Sequence, residues 1–152
     1  MKAVVFSRHG IASYASDPND PPLSTEGVTK VRKLAEALRQ MFPEGVPPLI
    51  TASPWKRAAE TAGIFQEVLG GEVITRPGFG PDGKTDYYLE LINRWRRKHS
   101  FIIAVAHEHL GAMAHQFRSA LPNPDVRHLD YGAHVFDLEK GAYTRIEADK
   151  LA

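Results

Sequence analysis

The amino-acid sequence predicts an α/β fold in which helices cover both faces of a mostly parallel β-sheet. Short runs of apolar and β-branched residues alternate with longer segments whose apolar residues recur every three or four positions. Strands that alternate with helices of this length are joined by right-handed crossovers, which produce parallel sheets with a helical layer on each side. We therefore expect a three-layer α/β/α architecture, with residues 1–152 forming a single domain.

The predicted strands are continuous apolar runs, and the clearest of them covers residues 101–106. Two others cover residues 3–6 and 49–51, and a short one covers residues 73–74. Near the end of the chain, two runs flank a Lys-Gly pair and predict a terminal β-hairpin. Its strands are expected over residues 133–138 and 143–146.

Four helices are predicted between these strands. Ser24 or Thr25 caps the first, and Ser53, followed by proline, caps the second. Apolar residues at helical spacing predict a third helix over residues 88–95 and a fourth from about residue 110 to residue 121. Every predicted strand except those of the terminal hairpin is thus followed by a helix.

Composition excludes several classes of function. Apolar residues make up 43% of the chain and charged residues 24%, which is typical of a globular protein. The net charge of +1 gives no general attraction to nucleic acid or to an anionic membrane, so we expect neither as a partner. The chain has no cysteine, which removes disulfides, thiolate metal ligands and a cysteine nucleophile. No segment has the roughly 20 apolar residues of a membrane span or the pattern of a signal peptide, so a cytoplasmic location is expected.

Cationic and imidazole side chains follow three of the predicted parallel strands. Arg8 and His9 come after the first strand, Arg57 comes shortly after the second, and His107 directly follows the strand at residues 101–106. Ligands of such sheets bind beyond the carboxyl ends of the strands, which lie at one edge. We therefore expect these four side chains to meet there.

This combination of side chains suits phosphoryl transfer. The guanidinium groups of Arg8 and Arg57 can hold phosphate oxygens in pairs and offset charge in the transition state. A neutral imidazole can attack phosphorus, and nearby arginines should lower the pKa of His9 from its usual value of about 6.5. Gly10 would allow a tight turn beside the anion, and Ser53, with the amides that open the second helix, could add hydrogen-bond donors.

Four segments resemble the motifs of the histidine phosphatase superfamily, which includes the cofactor-dependent phosphoglycerate mutases. They are residues 8–10, 22–27, 53–62 and 105–107. Four motifs in the expected order, between residue 1 and about residue 115, are far more specific than one three-residue match. The resemblance implies a phosphoglycerate mutase-like fold. It also implies that His9 becomes phosphorylated while Arg8, Arg57 and His107 bind the phosphoryl group.

Within the superfamily, the short length and the start of the first motif most resemble the short phosphohistidine phosphatases. This resemblance implies metal-independent hydrolysis with no cofactor, with a phosphohistidine protein as the leading substrate and a small phosphorylated metabolite as the second. Mutase activity comes third. Ile11 and residues 13–16 lack the polar residue and the asparagine that mutase-like members usually have after the glycine.

The general acid is less clearly marked. Larger members of the superfamily place a carboxylate after the third strand, where it protonates the leaving group. In this region Asp82 is the candidate and Asp86 the alternative. A phosphohistidine phosphatase can manage without a strong acid, because imidazole leaves more readily than an alkoxide. Because no residue is firmly marked as the general acid, a non-catalytic phosphate-binding module is a rival hypothesis.

His109 is open to more than one interpretation. Alternate residues of a strand share a face, so His107 and His109 could form a metal pair, which would predict a metallohydrolase. The spacing differs from the i, i+4 histidines of helical zinc proteases. We assign His109 to the substrate-binding side of the site and expect no metal.

A basic run at residues 94–98 stands apart from the predicted site. It ends a predicted helix, where cations complement the helix dipole, so a solvated helix terminus is the favoured interpretation. The alternative is a docking patch for a protein or a nucleic acid.

Overall fold

A six-stranded sheet forms the centre of the computed structural model, which describes residues 2–43, 45–117 and 129–151. The strands, in chain order, are β1 (Ala3–Arg8), β2 (Leu49–Ala52), β3 (Glu72–Thr75), β4 (Phe101–Ala106), β5 (Gly132–Asp137) and β6 (Ala142–Glu147). Their order across the sheet is β3-β2-β4-β1-β5-β6. All the predicted strands are present, and β1 extends two residues beyond its predicted end.

Four neighbouring strands of the sheet are parallel, as the alternation of strands and helices in the sequence predicts. β1 pairs with β4, β4 with β2 and β2 with β3, all in parallel. β5 is antiparallel to both β1 and β6, because β5 and β6 form the predicted terminal hairpin. The prediction of a mostly parallel sheet is confirmed, with an antiparallel hairpin at one side.

Four α-helices accompany the sheet in the described part of the chain. They are α1 (Thr25–Met41), α2 (Lys56–Leu69), α3 (Thr85–Trp95) and α4 (Leu110–Phe117). Short 3-10 turns cover Pro77–Phe79 and Ala148–Lys150. The predicted fourth helix is observed as far as Phe117, and its predicted continuation to residue 121 lies outside the described residues. Within the described ranges, no helix has both the length and the apolar character needed to cross a bilayer.

Apolar side chains on the two faces of the sheet pack under two separate pairs of helices. Val5, Ile50 and Ile103 lie in the core beneath α1 and α2. Val4 and Ile102 lie in the core beneath α3 and α4. Successive strand residues point to opposite faces, so a continuous apolar run feeds both cores at once. The predicted three-layer architecture is confirmed.

The two predicted helix caps have different outcomes. Ser24 caps α1, since its side-chain oxygen accepts a hydrogen bond from the Gly27 amide at 3.0 Å. The predicted cap at Ser53 is wrong. α2 begins only at Lys56, and its capping residue, Trp55, makes no side-chain cap. The Ser53 hydroxyl is instead 2.8 Å from a ring nitrogen of His107, so a tertiary contact replaces the local one.

Candidate active site

The three parallel strands β1, β2 and β4 end at one edge of the sheet and bring the predicted site residues together. Arg8 is the last residue of β1 and pairs in register with Ala106, the last residue of β4. The His9 amide donates to the Ala106 carbonyl at 3.0 Å, which continues the ladder by one residue. His9 and His107 therefore stand side by side, with ring centroids 5.0 Å apart. Arg57 reaches this edge from the first turn of α2.

His9 is held in one orientation and one tautomer. Its Nδ1 lies 2.8 Å from the Gly10 carbonyl oxygen, which can only accept, so Nδ1 carries the proton. Nε2 is buried and has no hydrogen-bond partner in the described ranges. Burial, followed by the charges of Arg8 and Arg57, lowers the pKa of His9 to about 4 against the opposing effect of the Gly10 hydrogen bond. His9 thus offers a neutral ring with a free Nε2 lone pair.

His107 is fully buried and faces the same space. Its Nε2 is 2.8 Å from the Ser53 hydroxyl, and its Nδ1 has no partner among the described residues. Burial first, then the neighbouring His9 and Arg57, lowers the pKa of His107 to about 2. His107 is therefore neutral at physiological pH. If the Ser53 hydroxyl donates to Nε2, Nδ1–H is left to donate to a ligand.

The two arginines are supported by aromatic rings more than by carboxylates. The Arg57 guanidinium lies 5.4 Å from the centroid of the Trp55 ring, and that of Arg8 lies 5.5 Å from the centroid of Tyr131. Arg57 is only 8% exposed. The Nε of each arginine is buried without a hydrogen-bond partner in the described residues. Buried cations with unused donors favour an anionic ligand.

Gly10 shapes the site through its neighbours. Its amide donates to the Thr61 hydroxyl at 2.9 Å, and that hydroxyl donates to the Arg57 carbonyl at 2.7 Å. A Cβ on Gly10 would lie 2.7 Å from a methyl group of Val31 in α1, so this close packing is what requires glycine. The predicted tight turn does not explain the glycine, because the backbone of Gly10 is not in the left-handed region. The Gly10 amide is already engaged, and the residue contributes its carbonyl to His9.

The predicted general acids are not hydrogen-bonded or ion-paired to this cluster within the described residues. Asp82 is exposed in the loop before α3, and Asp86 is exposed in the first turn of that helix. Neither carboxylate is among the charges that act on His9 or His107. The acid role of Asp82 or Asp86 therefore stays a prediction.

A different carboxylate, that of Glu108, does reach the site. It lies 3.8 Å from the Arg8 guanidinium, and its charge acts on His9. A hydrogen bond from its own backbone amide, followed by the charge of Arg8, lowers the pKa of Glu108. The carboxyl group is thus ionised at neutral pH and cannot serve as a proton donor there.

His109 lies beside the buried histidine pair. Its ring is nearly parallel to that of His107, with centroids 6.2 Å apart, and Tyr88 lies at a similar distance. Both of its ring nitrogens are buried and lack partners in the described part of the chain, and burial lowers its pKa. Over those same residues, no group of three or more His, Asp or Glu side chains is arranged to hold a metal ion.

The sequence analysis does not identify three residues of this site. Thr61 lies in the motif at residues 53–62, and its place one helical turn after Arg57 is the available signal. Glu108 lies between His107 and His109, and these neighbours are its only signal. Tyr131 carried no local signal, because only the folded chain brings it against Arg8.

The sequence profile of the histidine phosphatase superfamily (branch 1) matches residues 4–80, which is half of the chain. The chain belongs to the histidine phosphatase superfamily. The matched segment contains Arg8, His9 and Arg57, whereas His107 lies beyond it. An uncharacterized protein of Picosynechococcus sp. is 37% identical over 97 residues. That match covers 59% of this chain and 56% of the relative, so the chain matches only about half the length of that protein.

Solved structures of superfamily proteins share this fold. A chain from Nakamurella multipartitia, assigned as the phosphohistidine phosphatase SixA, superposes with a TM-score of 0.74 and 20% identity, covering 88% of this chain and 83% of its own. The protein histidine phosphatase SixA complexed with tungstate gives 0.73 and 19%, covering 95% and 94%. Phosphoglycerate mutase from Plasmodium falciparum gives 0.61 and 17%, covering 96% and 89%. The predicted phosphoglycerate mutase-like fold is confirmed.

Proposed function

We propose that this chain is a phosphatase in which His9 Nε2 accepts a phosphoryl group and passes it to water. The observation that carries this proposal is the hydrogen bond from His9 Nδ1 to the Gly10 carbonyl. It leaves the Nε2 lone pair free, in a neutral ring, among the charges of Arg8 and Arg57. Membership of the superfamily supports phosphatase activity.

In the first step, the Nε2 lone pair attacks phosphorus, and the bond from phosphorus to the leaving group breaks. The leaving group takes up a proton from solvent water. His9 is then a phosphoimidazolium whose Nδ1–H stays bonded to Gly10, so the carbonyl stabilises its positive charge. Arg8, Arg57 and Nδ1–H of His107 hold the phosphoryl oxygens. In the second step, water attacks phosphorus, the P–Nε2 bond breaks, and inorganic phosphate and neutral His9 are released.

We further propose that the preferred substrate is a phosphohistidine protein. Its leaving group is an imidazole, which departs more readily than an alkoxide and depends less on a strong general acid. This fits a site in which Asp82 is exposed and is not among the charges that act on His9, and in which Glu108 is ionised. The unpartnered ring nitrogens of His109 are then available to the leaving side of the substrate. Similarity of fold to SixA supports the same substrate class.

The nucleophile can be tested with p-nitrophenyl phosphate in excess EDTA. His9→Gln should lower turnover by about 10⁴-fold or more, because the attacking lone pair is removed. His115→Gln, at an exposed position on α4, is the matched control and should retain full turnover. The wild type should also yield a phosphoenzyme that is stable in base and labile in acid. Loss of wild-type activity in EDTA would instead support the metallohydrolase, and phosphate binding without turnover would support the non-catalytic module.

The substrate class needs a separate comparison. Turnover of a phosphohistidine protein is measured against a panel of sugar phosphates with the same preparation of enzyme. We expect the larger kcat/KM for the phosphohistidine protein. If only the sugar phosphates turn over, the small-metabolite assignment replaces it, while the role of His9 is unaffected.

A further inference from the structure

A cavity with a volume of about 560 Å³ lies at the edge of the sheet opposite the active site. Its walls come from the start of β1, the end of α3, the loop leading into β4, the end of α4 and the end of β5. The proposed active site occupies the carboxyl ends of β1 and β4, whereas this cavity lies at their amino ends. It belongs to a different part of the molecule, and the proposed phosphatase reaction makes no use of it.

The lining of this cavity is strongly basic. Lys2, Arg96, Arg97 and His99 contribute to it, and within the described residues no Asp or Glu side chain does. The whole chain has a net charge of only +1, so the excess of positive charge here is local. Arg96 and Arg97 of the basic run therefore line a cavity together with Lys2, so cations from separate segments can act on one ligand.

The cations of this cavity differ from the neighbouring Arg94, which lies in the last turn of α3. Arg94 is neutralised by Glu90, with the two side chains 2.8 Å apart. Neither Arg96 nor Arg97 forms an ion pair with a carboxylate in the described part of the chain. The Arg96 guanidinium lies 5.4 Å from the centroid of the Phe117 ring, which holds it beside the cavity. Two guanidinium groups are thus left available to an anion.

Polar and apolar groups complete the lining. The side chains of Asn93, Ser100 and Gln116 can exchange hydrogen bonds with a ligand. Leu138 adds apolar surface, and Phe117, which is 7% exposed, adds a smaller amount. The volume lies in the range of cavities that hold cofactors and other small molecules, and it far exceeds what one phosphate would fill.

We propose that this cavity binds a nucleotide-sized ligand that carries two linked phosphates. Two phosphates match several cations contributed by different segments, because each guanidinium can hold a phosphate in a bidentate contact. The apolar surface at Phe117 and Leu138 would contact the part of the ligand that carries no charge. A nucleoside diphosphate and inorganic pyrophosphate share the linked phosphates and differ in that uncharged part.

Two-dimensional NMR spectra of the whole protein can locate the ligand, with ADP, pyrophosphate and phosphate as separate probes. We expect ADP to shift the amide signals of Asn93, Ser100 and Gln116. Weaker shifts of the same signals by pyrophosphate would show that the uncharged part adds affinity, and equal shifts would identify the diphosphate alone as the ligand. Shifts confined to the surroundings of Gly10 and Arg57, or shifts as large with phosphate as with ADP, would overturn the proposal.

Matched variants test the cations. Arg96→Gln combined with Arg97→Gln should weaken ADP binding by about tenfold or more, because each change removes a charge-assisted hydrogen bond. Arg94→Gln removes the same charge from the same helix and should change affinity by less than about twofold. Loss of Arg96 could disturb packing on Phe117, so Arg97→Gln is also tested alone, because Arg97 is exposed and its replacement leaves that packing intact. Equal losses in the Arg94 and Arg97 variants would show only general charge attraction and would contradict a defined site.

Discussion

The two edges of the sheet both carry arginine and histidine side chains, yet they place them in opposite environments. At the carboxyl edge, His9, Arg57 and His107 are buried, and several of their polar atoms lack partners in the described chain. At the amino edge, Lys2 and Arg97 are exposed around an open cavity. The first environment strengthens electrostatic interactions and shifts pKa values, whereas water and salt screen the second.

The difference in burial between the two edges suits them to different tasks. Stabilising a transition state requires donors that are already oriented and free of water, which a buried arginine supported by a tryptophan ring provides. Holding a ligand in its ground state requires only complementary charge and shape. Similar residue types are therefore suited to the proposed catalysis at the carboxyl edge and to the proposed ligand binding at the amino edge.

Among variants that compare the two edges, the largest difference should come from replacing an arginine by glutamine at each of them. Arg57→Gln should lower kcat/KM for p-nitrophenyl phosphate by about 10²–10³-fold, as expected for loss of a preoriented donor in a buried site. Arg94→Gln, which removes an exposed and already paired cation near the amino edge, should leave kcat/KM unchanged. Similar losses in both variants would mean that net charge rather than local geometry governs activity.

The second effect concerns the proton affinity of His9. Burial first, then Arg8 and Arg57, lowers its pKa to about 4 from the ordinary 6.5, so the folded protein keeps the ring neutral where the unfolded chain protonates it. The unfolded state binds more protons between these values. Stability is therefore full above about pH 6.5 and falls as pH drops toward 4. His107, His109 and His134, whose pKa values burial also lowers, act in the same direction.

Two measurements check this effect. An NMR titration of the imidazole signals should show His9 neutral at pH 5, and urea unfolding should give lower stability at pH 5 than at pH 7. In His9→Gln the difference in stability between these two pH values should shrink, because one of the four histidines that act in this direction has been removed. Titration of His9 near the ordinary histidine value would contradict the free, buried Nε2 on which the proposed nucleophile depends.

Features set by residues close in the sequence were predictable, and those set by distant contacts were not. Arg8 ends β1, and His9 and His107 directly follow β1 and β4, so the strand pattern alone places them at one edge. The cap at Ser53 failed because its hydroxyl bonds to His107, 54 residues away. Asp82 was chosen by its position after a strand, yet its side chain lies in an exposed loop. Local sequence patterns cannot show whether a side chain such as Ser53 will bond to a nearby backbone amide or to a residue that is distant in the chain.

Thr61 offers the smallest and most specific test of the carboxyl edge. Its hydroxyl joins the Gly10 amide to the Arg57 carbonyl, which links the residue after the nucleophile to the start of α2. Thr61→Val keeps the shape but leaves the buried amide without a partner, so stability should fall by about 1–3 kcal/mol. Because the same contact orients the Gly10 carbonyl that holds His9, kcat should also fall.

Thr29→Val is the matched control for this change. The Thr29 hydroxyl makes the same bond to a carbonyl four residues earlier, that of Thr25, but on the exposed side of α1. Its loss should change stability by less than about 0.5 kcal/mol, since water replaces the missing partner. Urea unfolding and kcat of both variants decide the question. If the Thr61 variant loses stability but keeps full kcat, the contact supports the fold alone and the His9 ring is oriented without it.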